Sequence, residues 1–302
     1  MNQQFLTELK AVTAENRIFT DEPMKKHTTF RVGGPADVLI QPKRAELASV
    51  IRLCREYDIP YQVIGNGSNL LVGDRGIRGA VIEMLSKKDE FCVEDDCITV
   101  GAGMLLSKTA NCAAEHGLTG MEFAAGIPGS IGGAVVMNAG AYGGEMKDIL
   151  TAVTVLDKDG NEKKLTVEEL ELGYRTSCIL KKGYIVTEAK MKLLHGEEKE
   201  IRARMDELKK QRVEKQPLEF PSAGSTFKRP EGYFAGKLIM DAGLRGYQVG
   251  DAQVSEKHCG FVINRGNATA ADVRTLMQNV SDIVEEKFDV RLEPEVKMTG
   301  EF

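Results

Sequence analysis

Glycine is concentrated in three stretches of the first 150 residues: GNGSN (65–69), GAG (101–103) and GIPGSIGGAVVMNAGAYGG (126–144), the last with seven glycines in nineteen residues. Glycine lets backbone come close to a ligand, and successive N–H groups in such a loop can hold a phosphate. Neither short stretch completes a dinucleotide fingerprint. Gly65-x-Gly67 meets Leu70, and Gly101-x-Gly103 meets Leu106, where the third glycine should stand. No G-x-x-x-x-G-K-[S/T] occurs, so a Walker loop is excluded. Taken alone, GNGSN is either a turn or an anion site. The 126–144 stretch has more glycine than turns require and points to a ligand.

Polar side chains set among glycine and proline form the second signal. GYRTS holds Arg175, AGSTFKRP holds Ser225, Lys228 and Arg229, and LEPEV holds Glu293 and Glu295. Each has an ordinary reading: a surface arginine, a turn or N-cap serine, a solvent-facing glutamate. His27 and His258 lie near these motifs, and a structural role is the plainer reading for both. No G-x-S-x-G elbow and no legible Ser-His-Asp order occur. The six cysteines form no C-x-x-C pair, and with four scattered histidines they make no metal-ligand pattern. They read as reduced thiols used as small core residues, and no metal is expected.

These residues must be positioned by regular elements. ADVLI (36–40) and YQVIG (61–65) read as strands. Between them, RAELASVIRLCREY spaces Leu47, Val50, Ile51 and Cys54 as a helix. AVIEML (80–85) reads as another strand, and FCVEDDCITVGAG as a hairpin turning at Glu94–Asp96. LLSKTANCAAEHG is a helix closed by Gly117. VTVLDKDGNEKKL is a hairpin with Asp159-Gly160 in its turn, and YIVTEAKMKL (184–193) alternates as a sheet strand. Residues 197–215 are a charged helix with Ile201, Met205 and Leu208 on one stripe; Pro217 and Pro221 follow. That helix reads as the bridge into a second domain. This domain carries the strand GFVIN, a long helix from about Thr269 and a final extended LEPEVKM.

The chain has 302 residues, 28% charged and 42% hydrophobic, with net charge −5 and no block of like charges. General binding to nucleic acid or anionic membrane is not expected. The first residues lack an apolar signal core, and no apolar run approaches the ~18 residues of a membrane span. A cytoplasmic enzyme without membrane insertion is expected, and no obligate protein partner is inferred.

In order, HTTFRVGGPAD, IGNGSNLLV, FAAGIPGSIGGAVVMNAGAYGGEM, GYRTS, AGSTFKRP, AGKLIMDAGLRG and LEPEV resemble the UDP-N-acetylenolpyruvoylglucosamine reductase family over about residues 27–298. The resemblance implies an α+β protein. A two-lobed FAD-binding domain of the vanillyl-alcohol-oxidase (PCMH) type would span 1–196, its lobes split near residue 85. A smaller α+β substrate domain would span 197–302. It implies non-covalent FAD, NADPH as co-substrate, and peptidoglycan precursor synthesis. Ile64, Gly65, Asn66, Gly67, Ser68, Asn69, Leu70, Gly126, Ile127, Pro128, Gly129, Ser130, Gly132, Gly133, Ala134, Asn138 and Ile185 are the implied cofactor residues. Arg175, Ser225 and Glu295 are the implied catalytic ones.

The implied chemistry suits those types. Hydride from flavin N5 reaches the terminal carbon of the enol ether, and negative charge spreads into the adjacent carboxylate. Arg175 meets that charge with its fork. Facing the same carboxylate, an ionised Glu295 would be repelled, so it is expected protonated and donating. Ser225 is the implied proton donor, with Lys228 to polarise it or to hold the UDP phosphates. No tyrosine-bearing insertion follows residue 197, so the shorter type of the family is expected. Tyr184, Lys228, Arg229, Lys237 and His258 are candidates for the sugar nucleotide. Two alternatives stand beside this: another FAD oxidoreductase of the same fold, and a non-catalytic nucleotide-sugar-binding protein.

Overall fold

A computed structural model describes residues 2–84 and 90–302, and the chain divides into two compact units. The first is built from Met1–Phe19, Val38–Asn66 and Gly79–Arg212; the second from Thr20–Asp37, Gly67–Arg78 and Val213–Phe302. Leu85, the last residue of the expected 80–85 strand, and the expected lobe boundary near 85 lie outside the described residues.

The first unit has two cores. In one, helix Arg44–Glu56 buries Leu47, Val50, Ile51 and Cys54, spaced i, i+3, i+4, i+7, together with Phe5 and Leu9 of helix Gln3–Val12. Fully burying one such Leu or Ile is worth about 1.5–3 kcal/mol. The first-unit part of a four-stranded sheet runs in the order 18–19, 38–40, 79–83, 61–64, within strands Ile18–Pro23, Pro35–Ile40, Ile77–Glu83 and Tyr61–Ile64. The strand–helix–strand unit expected over 36–65 is present, but its strands are not neighbours. Ile77–Glu83 lies between them and pairs in parallel with Tyr61–Ile64, Tyr61 opposite Ala80. Its apolar run AVI is buried, and Glu83 with it, as the middle strand of such a sheet should be.

The other core lies under a five-stranded antiparallel sheet in the order Glu162–Thr166, Leu150–Leu156, Ile185–Lys192, Cys97–Gly101, Phe91–Glu94. Both expected hairpins occur. Asp95 and Gly160 take the left-handed backbone their turns require. Helices Leu106–Glu115 and Ile131–Val136 and the Ile201–Met205 face of helix Glu198–Lys215 complete this core.

In the second unit, helix Ala270–Phe288 is capped by Thr269, whose hydroxyl accepts from the Asp272 amide while Asp272 accepts from the Thr269 amide. Its stripe Val273, Leu276, Met277, Val280 and Val284 is buried with Phe30, Leu71, Phe227, Ile239 and Val262. The antiparallel strands Gln248–Val249, Ala252–Val254 and Val262–Asn264 lie beside it. The expected final strand is Lys297–Thr299, parallel to Leu70–Val72.

Candidate active site

In the first unit, the two principal glycine-rich stretches meet. Gly65 packs so closely on Ser130 that a Cβ would overlap its hydroxyl, and Asn66 Nδ2 donates to the Pro128 carbonyl at 2.5 Å. The third stretch holds them from beneath. Leu106 N–H donates to Gly129 O (2.9 Å), Ile131 N–H to Met104 O (2.8 Å), and Gly132 N–H to Ala102 O (2.7 Å). A Cβ on Gly132 would sit 3.0 Å from that of Ala102. Ser130 opens the short helix Ile131–Val136 and accepts from the Gly133 amide. Gly126, Pro128 and Gly133 are exposed, Ile127 and Gly129 half-buried, Ala134 buried. Ile64 ends its strand and accepts from the Met84 amide. Ile185 heads a sheet strand and packs into the core around helix Arg44–Glu56. Tyr184 lies beside it, half-buried under the Lys163 ammonium at 5.6 Å.

Asn138 is fully buried at φ 40°. Its Nδ2 donates to Glu145 Oε2 (2.8 Å) and Gly173 O (3.2 Å), and its Oδ1 accepts from Lys147 N–H (2.9 Å). The amide is thus engaged inside the protein, and its effect on the site is to fix Gly173. Gly173 and Thr176 exchange backbone bonds across a two-residue turn, with Arg175 at φ 54°. A non-glycine residue there costs energy that the surroundings must repay. Arg175 Nη2 donates to Gly140 O at 3.2 Å, and its guanidinium lies 5.1 Å from the Tyr174 ring centroid.

In the second unit, the later half of GNGSN is fixed by different partners. Gly67 is buried at φ 58°, accepts from Thr29 N–H, and leaves no room for a Cβ against the His27 carbonyl. His27 itself faces Glu22 Oε1 at 3.1 Å. Ser68 lies half-buried in the turn before Leu70. Asn69 Nδ2 donates to Glu295 O at 3.1 Å, and Asn69 O accepts from Lys297 N–H at 2.9 Å. Ser225 and Glu295 are on antiparallel segments: Glu295 N–H donates to Thr226 O (2.8 Å), and Lys228 N–H donates to Glu293 O (2.9 Å). Ser225 is exposed and Glu295 half-buried.

The other candidates have partners of their own. Lys228 pairs with Glu293 (3.0 Å), which holds that carboxyl below its ordinary range. Arg229 lies 4.0 Å over the Phe234 ring centroid. Lys237 pairs with Asp241 (2.7 Å) one helical turn on. His258 Nδ1 accepts from Gly260 N–H (3.1 Å), and burial lowers its pKa, favouring the neutral ring. Among the described residues no cluster could hold a metal ion, and no helix is long and apolar enough to cross a membrane.

The residues present fit a dinucleotide. Residues 64–70 and 126–138 contain no carboxylate to repel a pyrophosphate, and Gly126 and Gly133 are exposed to close approach. One residue that sequence reasoning missed, Arg212, lies across Gly126.

An FAD binding domain family model matches residues 35–166, and a model described as the C-terminal domain of UDP-N-acetylenolpyruvoylglucosamine reductase matches residues 216–299. The UDP-N-acetylenolpyruvoylglucosamine reductase of Agathobacter rectalis is 58% identical, covering 100% of both chains. That of Clostridium perfringens is 53% identical over 99% of each. The crystal structure of the Thermus caldophilus reductase superposes with a TM-score of 0.78 at 42% identity, covering 91% of this chain and 97% of the other.

Proposed function

The chain belongs to the UDP-N-acetylenolpyruvoylglucosamine reductase family, and from that premise we propose that it uses NADPH and FAD to reduce the enolpyruvyl ether of UDP-N-acetylglucosamine to UDP-N-acetylmuramate. It is a flavin-dependent oxidoreductase of peptidoglycan synthesis. FAD, when bound, supplies the hydride.

The chain's own residues do the rest. Gly65, Asn66 and the 126–130 loop hold the pyrophosphate through backbone N–H groups, those of Ile131, Gly132, Gly133 and Ala134 being bonded within the protein, and Gly67–Leu70 continue that grip. Arg175 binds the substrate carboxylate and offsets the charge that grows there after hydride arrives. Its left-handed backbone at the Gly173–Thr176 turn sets the direction in which the side chain leaves the loop. Ser225 protonates the carbanion on one face. Protonated Glu295 donates a hydrogen bond to the same carboxylate. Residues 197–302 form the sugar-nucleotide-binding part, with Lys228 at the UDP phosphates. Lys228 must exchange Glu293 for a phosphate, an anion of higher charge, so the pair is a resting state.

Above all, the antiparallel backbone pairing that sets the Ser225 segment against Glu295 supports this function. One proton donor and one hydrogen-bond donor are thereby held on a shared frame, as stereospecific protonation requires. NADPH oxidation that depends on the enolpyruvyl UDP-sugar tests it. Purified protein that is colourless, takes up no FAD and oxidises no NADPH with that substrate would refute it.

A further inference from the structure

The apolar stripe of helix Glu198–Lys215 runs Ile201, Met205, Leu208, all buried. The next position on that stripe, four residues on, is Arg212. A cation therefore stands where the pattern calls for a core residue. Its Cδ would lie 3.1 Å, and its Nη1 3.4 Å, from a Cβ placed on Gly126. Any side chain at 126 would press on this stem and make it give by a few tenths of an ångström. The guanidinium is half-buried, and no carboxylate among the described residues pairs with it. Burial lowers its pKa, and Tyr142, at the far end of the same glycine-rich stretch, acts in the opposite direction. Removing a cation from water without an anion is unfavourable, and proteins retain such groups where a ligand supplies the anion.

We propose that Arg212 is an anion-binding residue of the site, taking a phosphate oxygen of a bound nucleotide at the mouth of the 126–130 loop. The inference deepens the function proposed above and rests on it for the identity of the nucleotides. A phosphate meets the guanidinium fork with two parallel N–H···O bonds, which a lysine cannot reproduce. The cofactor and the two incoming substrates all carry a pyrophosphate, so the chemistry is common to them.

Arg212→Met keeps the stem and removes the charge; Arg212→Lys keeps the charge and removes the fork. FAD release from the holoenzyme is followed by flavin fluorescence, and calorimetry on the holoenzyme gives Kd for UDP-N-acetylglucosamine and for NADP+, which cannot reduce the flavin. Loss of one charge-assisted contact predicts that Arg212→Met weakens at least one nucleotide roughly tenfold to hundredfold. Arg212→Lys should fall between that variant and the wild type. Binding by Arg212→Met should also depend less steeply on salt.

Faster FAD release with unchanged UDP-sugar and NADP+ affinity assigns the contact to the cofactor. The converse assigns it to the incoming nucleotide. If Arg212→Met does not fold, Arg212→Lys alone decides by the same comparison. All three affinities within twofold of wild type would overturn the proposal. These are binding measurements, so wild-type protein that binds the nucleotides but fails to turn over the enolpyruvyl sugar would refute the function and leave the role of Arg212 standing.

Discussion

Asn69 donates its side-chain amide to the backbone carbonyl of Glu295 at 3.1 Å while its own carbonyl accepts from Lys297 N–H at 2.9 Å. The end of the glycine loop and the strand of the proposed hydrogen-bond donor are therefore one hydrogen-bonded piece. Asn69→Ala should cost about 0.5–1.5 kcal/mol of stability. It should also both speed FAD release and slow flavin reoxidation by substrate. A variant changed in only one of the two would show that loop and strand act separately.

Ser225→Ala should leave reduction of the flavin by NADPH nearly intact. Reoxidation by the enolpyruvyl sugar should slow by roughly 10²–10⁴, the usual worth of a positioned proton donor. Stopped-flow absorbance separates the two half-reactions. Equal loss in both would remove Ser225 from the proton-donor role.

Glu295→Gln keeps an N–H that can donate to the substrate carboxylate, and Glu295→Ala keeps none. The glutamine variant should therefore be the more active, read as kcat/KM. The opposite order would mean that Glu295 works ionised.

Gly67→Ala should be harsher than Gly65→Ala. At Gly67 the backbone is left-handed, φ 58°, and the obstruction is the His27 carbonyl, which cannot step aside. A loss of at least about 2 kcal/mol, or a Tm lower by roughly 5 °C or more, is expected. At Gly65 the obstruction is the Ser130 hydroxyl. It can rotate, at the cost of its cap on Gly133, worth about 1 kcal/mol. Thermal melts of the two variants compare them directly.

Asp157 closes the hairpin turn by accepting from the Asn161 amide (3.0 Å) and the Asp159 amide (2.9 Å). The Asn161 bond, aided by the Asp159 amide and by Lys163, lowers its carboxyl from 3.8 to about 2. Because the folded state holds the proton less tightly than the unfolded one, the stabilisation is complete above pH ~4 and fades as pH falls towards ~2. Melting temperatures of wild type and Asp157→Asn between pH 2 and 7 should converge in that window. A constant gap would contradict the linkage.

Several of these elements were legible because local rules dictate them. Asp159-Gly160 announces its turn, Thr269 with Asp272 announces a helix start, and the 47/50/51/54 spacing announces a buried face. The glycine stretches and the order of motifs pointed to the cofactor loop and to Arg175, Ser225 and Glu295. Other features carry no local mark. Strand Leu70–Val72 is three residues long, too short for periodicity, and its partner Lys297–Thr299 is more than 200 residues away. Arg212 carries no mark of its own because it is one charge among many on its helix, although it continues the stripe. Asn138 sits in a stretch expected to bind a ligand, yet its amide is used internally, which sequence cannot distinguish from an amide turned to a ligand.

The parallel pairing of Leu70–Val72 with Lys297–Thr299 also sets an order of events during synthesis. At about 5–20 residues per second, strand Leu70–Val72 emerges from the ribosome some tens of seconds before its partner exists. Throughout that time its hydrogen-bonding edge has nothing to pair with, and Asn69 has no Glu295 carbonyl to reach. The proposed grip on the cofactor is therefore completed only after Lys297–Thr299 has been made. The nascent chain must keep an unfinished strand edge away from its neighbours until then.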